Sequence, residues 1–210
     1  GREVVVIDAG QVANGESSAT TAHLSAALDR RCFELEGTHG TDACRLAVQS
    51  QLWAVDEIES IVSREKIDCG FSRLDGYLFL QGGDKVELLA KELQSLRRCG
   101  LEAEEVERAP LPGFDTGPAL RFPRQGQCHP VRYLSGLAAA FERLGGRIFC
   151  GTEAASVEDG APARVVLQGG PRIEARSVLV ATNVPFNDRV TLHTRIYPYR
   201  SYVVAARVPP

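Results

Sequence analysis

Four consecutive β-formers, Val4-Val5-Val6-Ile7, show none of the polar alternation of a half-buried strand, and Asp8, Ala9 and Gly10 close the run. That pattern predicts a strand covered on both faces inside a parallel sheet. A polar loop follows, then residues 20–28 read as a short helix and 29–40 as an irregular connection. The helical spacing of Leu46, Ala47, Trp53, Ala54, Ile58, Ile61 and Val62 predicts a long amphipathic helix from an N-cap at Thr41-Asp42 to about Arg64. Trp53 belongs to its packed side.

Residues 67–81 have strand composition, and Asp75-Gly76 predicts a tight hairpin turn between Phe71 and Tyr77. Gly83-Asp84 starts a helix with the buried stripe Val86, Leu89, Leu93 and Leu96 and the stop Gly100. Glu102, Glu104, Glu105 and Glu107 have no histidine nearby and read as a solvated face. The Pro- and Gly-rich stretch 109–130 holds a strand at 119–122, and Pro130 suits the first turn of a helix ending at Gly145-Gly146. Strands are predicted at 147–150, 154–158, 164–167, 172–174 and 178–181. Polar turns at Asp159-Gly160 and Gly169-Gly170 make this an antiparallel meander.

A hydrophobic share of 44% over 210 residues supports a real core, in one large or two small domains. A net charge of −3 leaves no basic footprint, which argues against nucleic acid as a partner. Nothing approaches the ~20 apolar residues of a membrane helix, so a soluble, cytoplasmic protein is expected. The six cysteines lack any C-x-x-C pair and read as reduced, mostly buried thiols. No metal ligand set and no Rieske-type Cys/His pairing is expected in this chain.

Chemistry enters at Asp8. A carboxylate ending a parallel strand can accept both hydroxyl protons of an adenosine ribose. Beside it Gly10, Asn14 and Gly15 permit close backbone approach, while Ser17, Ser18, Thr20 and Thr21 place four hydroxyls within five positions. Hydroxyls and free amides at a helix start can bind phosphate or flavin edge atoms.

These residues resemble the second strand and following loop of D-amino-acid-oxidase-like FAD-dependent oxidoreductases, in particular the branch often fused to a C-terminal Rieske iron–sulfur domain. Further matching blocks are residues 67–71 with 75–79, His129-Pro130-Val131-Arg132-Tyr133-Leu134, residues 180–186, and Tyr199-Arg200-Ser201-Tyr202. The resemblance implies an α/β fold with an α+β insertion: a partial Rossmann-type FAD-binding domain, 1–33 and 128–185, interrupted by a substrate domain with an antiparallel or mixed sheet, 34–127 and 186–210. It also implies oxidation of an amine or amino acid by hydride transfer to flavin, with FAD as cofactor and a [2Fe-2S] cluster only where a Rieske domain lies outside this chain.

By the same resemblance Asp8 and Ala9 face the adenosine. Ser17, Ser18, Thr20, Thr21, His23 and Leu24 line the pyrophosphate, ribityl chain and ring, with His23 a hydrogen-bonding packer rather than a base. Val157 meets adenine through its backbone, and Ala181 and Thr182 end a strand below the cofactor. Arg200, Tyr199 and Tyr202 are weak candidates for substrate binding, since an Arg fork matches a carboxylate. No G-x-G-x-x-G occurs, so the chain reads as an internal fragment that holds FAD poorly. Two rivals stay open: an NAD-dependent dehydrogenase on the same sheet, and a non-catalytic interaction module.

Overall fold

Strand β5 (Ala119–Gln127) is the spine of the largest sheet, because three other strands pair with it. The computed structural model describes residues 3–27, 29–80, 82 and 85–182. It divides into two compact units, Gly1–Val5 with Gln11–Ile148, and Val6–Gly10 with Phe149–Pro210.

In the first unit, β3 (Ser72–Phe79) runs antiparallel along the whole of β5. On the other edge of β5, β2 (His23–Leu24) pairs with Gly126 and Gln127, and β4 (Glu104–Val106) pairs with the segment Ala119 to Arg121. Helices α1 (Cys32–His39), α2 (Thr41–Glu65) and α3 (Glu87–Cys99) share one core with this sheet. Val48, Leu89, Leu93, Leu96, Leu120 and Phe122 are its main apolar residues. Helix α4 (Pro130–Arg143) closes a second cluster through Tyr133 and Leu137 against Ile67, Cys69 and Cys128. Gly136 is needed there, since a Cβ at that position would stand 2.4 Å from Ile67 Cγ2.

Several expectations hold. Leu89, Leu93 and Leu96 are the buried stripe of α3, whereas Val86, expected in that stripe, stands at the N-cap and is 54% exposed; Gly100 ends the helix in the left-handed region at φ 84°. Pro130 opens α4, with the His129 side chain accepting from the Arg132 amide. The long helix over 41–65 is present, although Gly40 rather than Thr41 occupies its N-cap. The expected start at Gly83-Asp84 lies outside the described residues.

Others need correction. No hairpin turn forms at Asp75-Gly76: β3 passes straight through, absorbing the dipeptide as a register shift between Leu74 and Gly76. Continuous pairing with β5 outweighs the local turn preference, and Asp75 is held by Arg121 on that strand at 2.6 Å. Residues 29–40 are not irregular, because α1 forms there. Its first two amides, of Cys32 and Phe33, donate to Glu92 Oε1 and Oε2 at 2.9 and 3.2 Å, a cap supplied from α3. No helix forms over the described part of the expected range, 20–27. Ala22 sits at φ 65°, which breaks a right-handed helix, and His23 and Leu24 enter the sheet instead. Trp53 is 66% exposed rather than packed, as is Leu46 at 68%.

Among the cysteines, all but Cys150 are buried, and none is bonded to another among the described residues. Burial pushes the thiols of Cys32, Cys44 and Cys128 up.

Strand β1 (Val5–Ile7) pairs with β6 (Arg147–Phe149). Arg147 N–H donates to Val4 O at 3.1 Å and, further along, Asp8 N–H donates to Phe149 O at 3.0 Å. Partner numbers rise together, so the pair is parallel. The expected cover on both faces is absent among the described residues: Val4 and Val6 are 45% and 42% exposed, since pairing with β6 satisfies an edge of β1 while its faces depend on helices for cover. In the second unit β7 (Ala154–Glu158), β8 (Ala163–Leu167) and β9 (Arg172–Ala175) form the expected antiparallel meander. The strand expected at 178–181 does not form. It finds no pairing partner among the described residues, and Leu179 is 90% exposed.

Candidate functional site

Asp8 follows the last residue of β1, at the carboxyl end of a parallel strand, where open α/β sheets bind ligands. Its backbone is pinned on both sides: its N–H donates to Phe149 O, and its carbonyl accepts from the Thr152 amide at 2.8 Å. Gly151, at φ 64°, turns the chain there and donates to Gly10 O at 3.1 Å. The side chain is exposed. Oδ1 accepts from the Gly10 amide at 2.7 Å, and Oδ2 has no partner among the described residues. This carboxylate is therefore oriented, solvent-facing and half free, the arrangement that receives a vicinal diol. Thr152 and Gly151 were not anticipated. Their signal is a Cys-Gly-Thr turn after a strand, which gains meaning only once β6 is seen beside β1.

Ala9 is exposed next to Asp8, and Val157 sits in β7 opposite Val165. Ala181 and Thr182 are exposed and lie outside any strand, so their expected position at a strand end is corrected.

The hydroxyl loop belongs to the first unit. Its core is a 3-10 turn over Gly15–Ser18, capped by the Asn14 side chain, which accepts from the Gly15 amide. Ser18 Oγ donates to Gly15 O at 2.7 Å, which ties that hydroxyl into the turn. Thr20 Oγ1 accepts from the Ala22 amide at 3.4 Å, and Thr21 Oγ1 stands 3.4 Å from His23 Nδ1. Ser18, Thr20, Thr21 and His23 are exposed, while Ser17 and Leu24 are partly buried. Because no helix starts at Thr20, the loop offers polar side chains without the helix-start amides expected beside them. His23 is an exposed residue at the end of β2 rather than a helix residue. Asn183, Tyr197, Tyr199, Arg200 and Tyr202 lie outside the described residues.

With this geometry in view, comparison with known proteins gives the class. The whole chain, residues 1–210, matches the DAO family, FAD dependent oxidoreductase, and the protein belongs to that family. It is 32% identical over 208 residues to the Rieske 2Fe-2S iron-sulfur protein YhfW of Bacillus subtilis, covering 99% of this chain and 41% of that protein. It is 27% identical over 197 residues to gamma-glutamylputrescine oxidoreductase of Escherichia coli, covering 90% of this chain and 45% of the relative. The chain thus spans less than half the length of either. Among solved structures it superposes on glycine oxidase of Geobacillus kaustophilus with a TM-score of 0.68, over 85% of this chain and 48% of that one, at 20% identity. That likeness fixes the fold.

The residues present fit the family's cofactor in one respect that can be checked directly. An exposed Asp8 carboxylate with one open oxygen, at the carboxyl end of a parallel strand, is an acceptor set suited to ribose hydroxyls.

Proposed function

We propose that the protein carrying this chain oxidises a small amine or amino acid, removing a hydride from the carbon that bears the nitrogen. The observation that carries the reading is the oriented, half-free Asp8 carboxylate in a chain of the FAD-dependent oxidoreductase family. A relative, 27% identical, is named for an amine-bearing compound, gamma-glutamylputrescine, which supports the substrate class.

FAD, when bound, supplies the two-electron acceptor. This chain's part is to hold and orient. Asp8 accepts the ribose hydroxyls, and Ala9 follows it along the adenosine. Ser17, Ser18, Thr20, Thr21, His23 and Leu24 line the rest of the cofactor. Val157 serves the adenine through its backbone, with Ala181 and Thr182 on the same cofactor. Residues 1–33 with 128–185 form the cofactor part, and 34–127 with 186–210 the substrate part. Arg200, with Tyr202 two residues on, clamps a substrate carboxylate. A Rieske [2Fe-2S] centre, where one accompanies this chain, takes the electrons onward, and the protein works in the cytoplasm. Among the described residues no helix is long and apolar enough to cross a membrane.

The test is anaerobic bleaching of the flavin's visible absorbance by a panel of primary amines, secondary amines and D- and L-amino acids. At least one compound is expected to bleach it. A flavin-replete protein that none reduces overturns the reading.

A further inference from the structure

Three of the six cysteines converge in the helical layer of the first unit. Cys32 is the first residue of α1, Cys44 lies in the first turn of α2, and Cys99 is the last residue of α3. Their Sγ atoms all lie within 4.8 Å of one another, and the residues are 1%, 0% and 0% exposed. Cys32 and Cys44 bring their sulfurs to 2.8 Å, closer than van der Waals contact. Ser95 of α3 is also fully buried, and its hydroxyl donates to Glu36 Oε2 at 2.7 Å.

A metal–thiolate bond is about 2.3 Å long, which sets sulfurs around one ion roughly 3.8–4.0 Å apart. The triad brackets that spacing, with its shortest separation at 2.8 Å and none beyond 4.8 Å, so side-chain shifts of about 1 Å reach it. Sulfur donors select soft cations over magnesium, calcium or manganese. Each thiol releases its proton to solvent as its sulfur–metal bond forms, and no electron changes hands.

We propose that Cys32, Cys44 and Cys99 form a binding site for one soft d10 cation, zinc(II) or copper(I), that ties α1, α2 and α3 together. The site draws on a different set of side chains from the flavin reading and stands or falls without it.

The experiment uses the full chain, purified without chelator in a phosphine reductant, with elemental analysis followed by cadmium(II) titration. The expected result is one equivalent of zinc or copper per chain, or uptake of one cadmium ion with a thiolate-to-metal charge-transfer band in the ultraviolet. Cys99→Ser is expected to weaken cadmium binding by more than about a hundredfold, beyond the loss typical of an outer-shell partner. Cys69→Ser and Cys128→Ser, buried but outside the triad, leave it unchanged. Should Cys99→Ser fail to fold, the wild-type stoichiometry still decides. The proposal is overturned by a wild-type chain that takes up no metal, by equal uptake in Cys99→Ser, or by loss of the band in Cys69→Ser. It is also overturned by four instead of six titratable thiols in metal-free protein prepared without any reductant and then denatured, which would mark a Cys32–Cys44 disulfide.

Discussion

Glu92 and Glu36 in the helical layer, and Asp8 at the end of β1, are carboxylates in opposite circumstances. Glu92 is 5% exposed, and both its oxygens are taken by the leading amides of α1. Glu36 accepts from Arg98, Ser95 and Thr41, and these bonds, Arg98 foremost, hold its carboxyl down at about 2. Asp8 is exposed and engages only the amide two residues on, leaving one oxygen open. In the helical layer, then, carboxylates are consumed in holding α1 against α3. At the end of β1 the carboxylate is positioned without being consumed, which is what a binding group requires.

The sharpest way to break this contrast is to remove Glu92. Glu92→Ala leaves two amides without their acceptor, at about 1–3 kcal/mol each, so a stability loss of about 3 kcal/mol is expected in urea unfolding. Glu92→Gln, which keeps one acceptor oxygen, should lose less. A loss below about 1 kcal/mol for the alanine variant would mean that solvent caps α1 equally well. Asp8→Ala should do the reverse. Its stability stays within about 0.5 kcal/mol of wild type, while flavin affinity in the protein carrying this chain falls tenfold or more, about 1.5–3 kcal/mol for hydrogen bonds to a charged group. Flavin release followed by fluorescence checks this, and unchanged affinity would remove Asp8 from the site.

Glu36 extends the contrast to pH. Its folded value of about 2 lies below its ordinary 4.5, so the folded protein binds fewer protons between those values than the unfolded chain. The stability this residue contributes is therefore complete above about pH 4.5 and drains away as pH falls toward 2. Glu36→Gln should flatten that acid limb of the stability curve while lowering the plateau at neutral pH. An unchanged slope would show that Arg98, at the protein surface, contributes little.

What the sequence discloses divides along the same line. Patterns that depend on neighbours in the chain were legible: the Leu89, Leu93 and Leu96 stripe, Pro130 opening α4, Gly100 closing α3, and the β7 to β9 meander with its polar turns. So was Asp8 as the close of a parallel strand. Features set by distant partners were not. α1 depends on Glu92, 60 residues from Cys32, and Asp75-Gly76 is kept from turning by β5, whose Arg121 is 46 residues away. The thiol triad is drawn from three helices, so no spacing rule for metal ligands detects it.

Trp53 tests where helical spacing stops predicting burial. α2 buries Cys44, Val48 and Val55, a face to which Trp53 and Leu46 do not belong, although all are apolar positions of one helix. Leu46 and Trp53 stand seven residues apart, two helical turns, so they share a side of α2 that is exposed at 68% and 66%. A core tryptophan replaced by alanine costs about 3–5 kcal/mol, whereas an exposed one changes stability by no more than about 0.5 kcal/mol. Trp53→Ala should fall in the second class. Trp53 is the chain's single tryptophan, so its fluorescence reports on this position alone: emission at the wavelength of a hydrated indole and ready quenching by iodide are expected. A blue-shifted, iodide-resistant emission with a large stability loss would show that this face of α2 is covered in solution, and the apolar spacing of Leu46 and Trp53 would then have been a correct signal of burial.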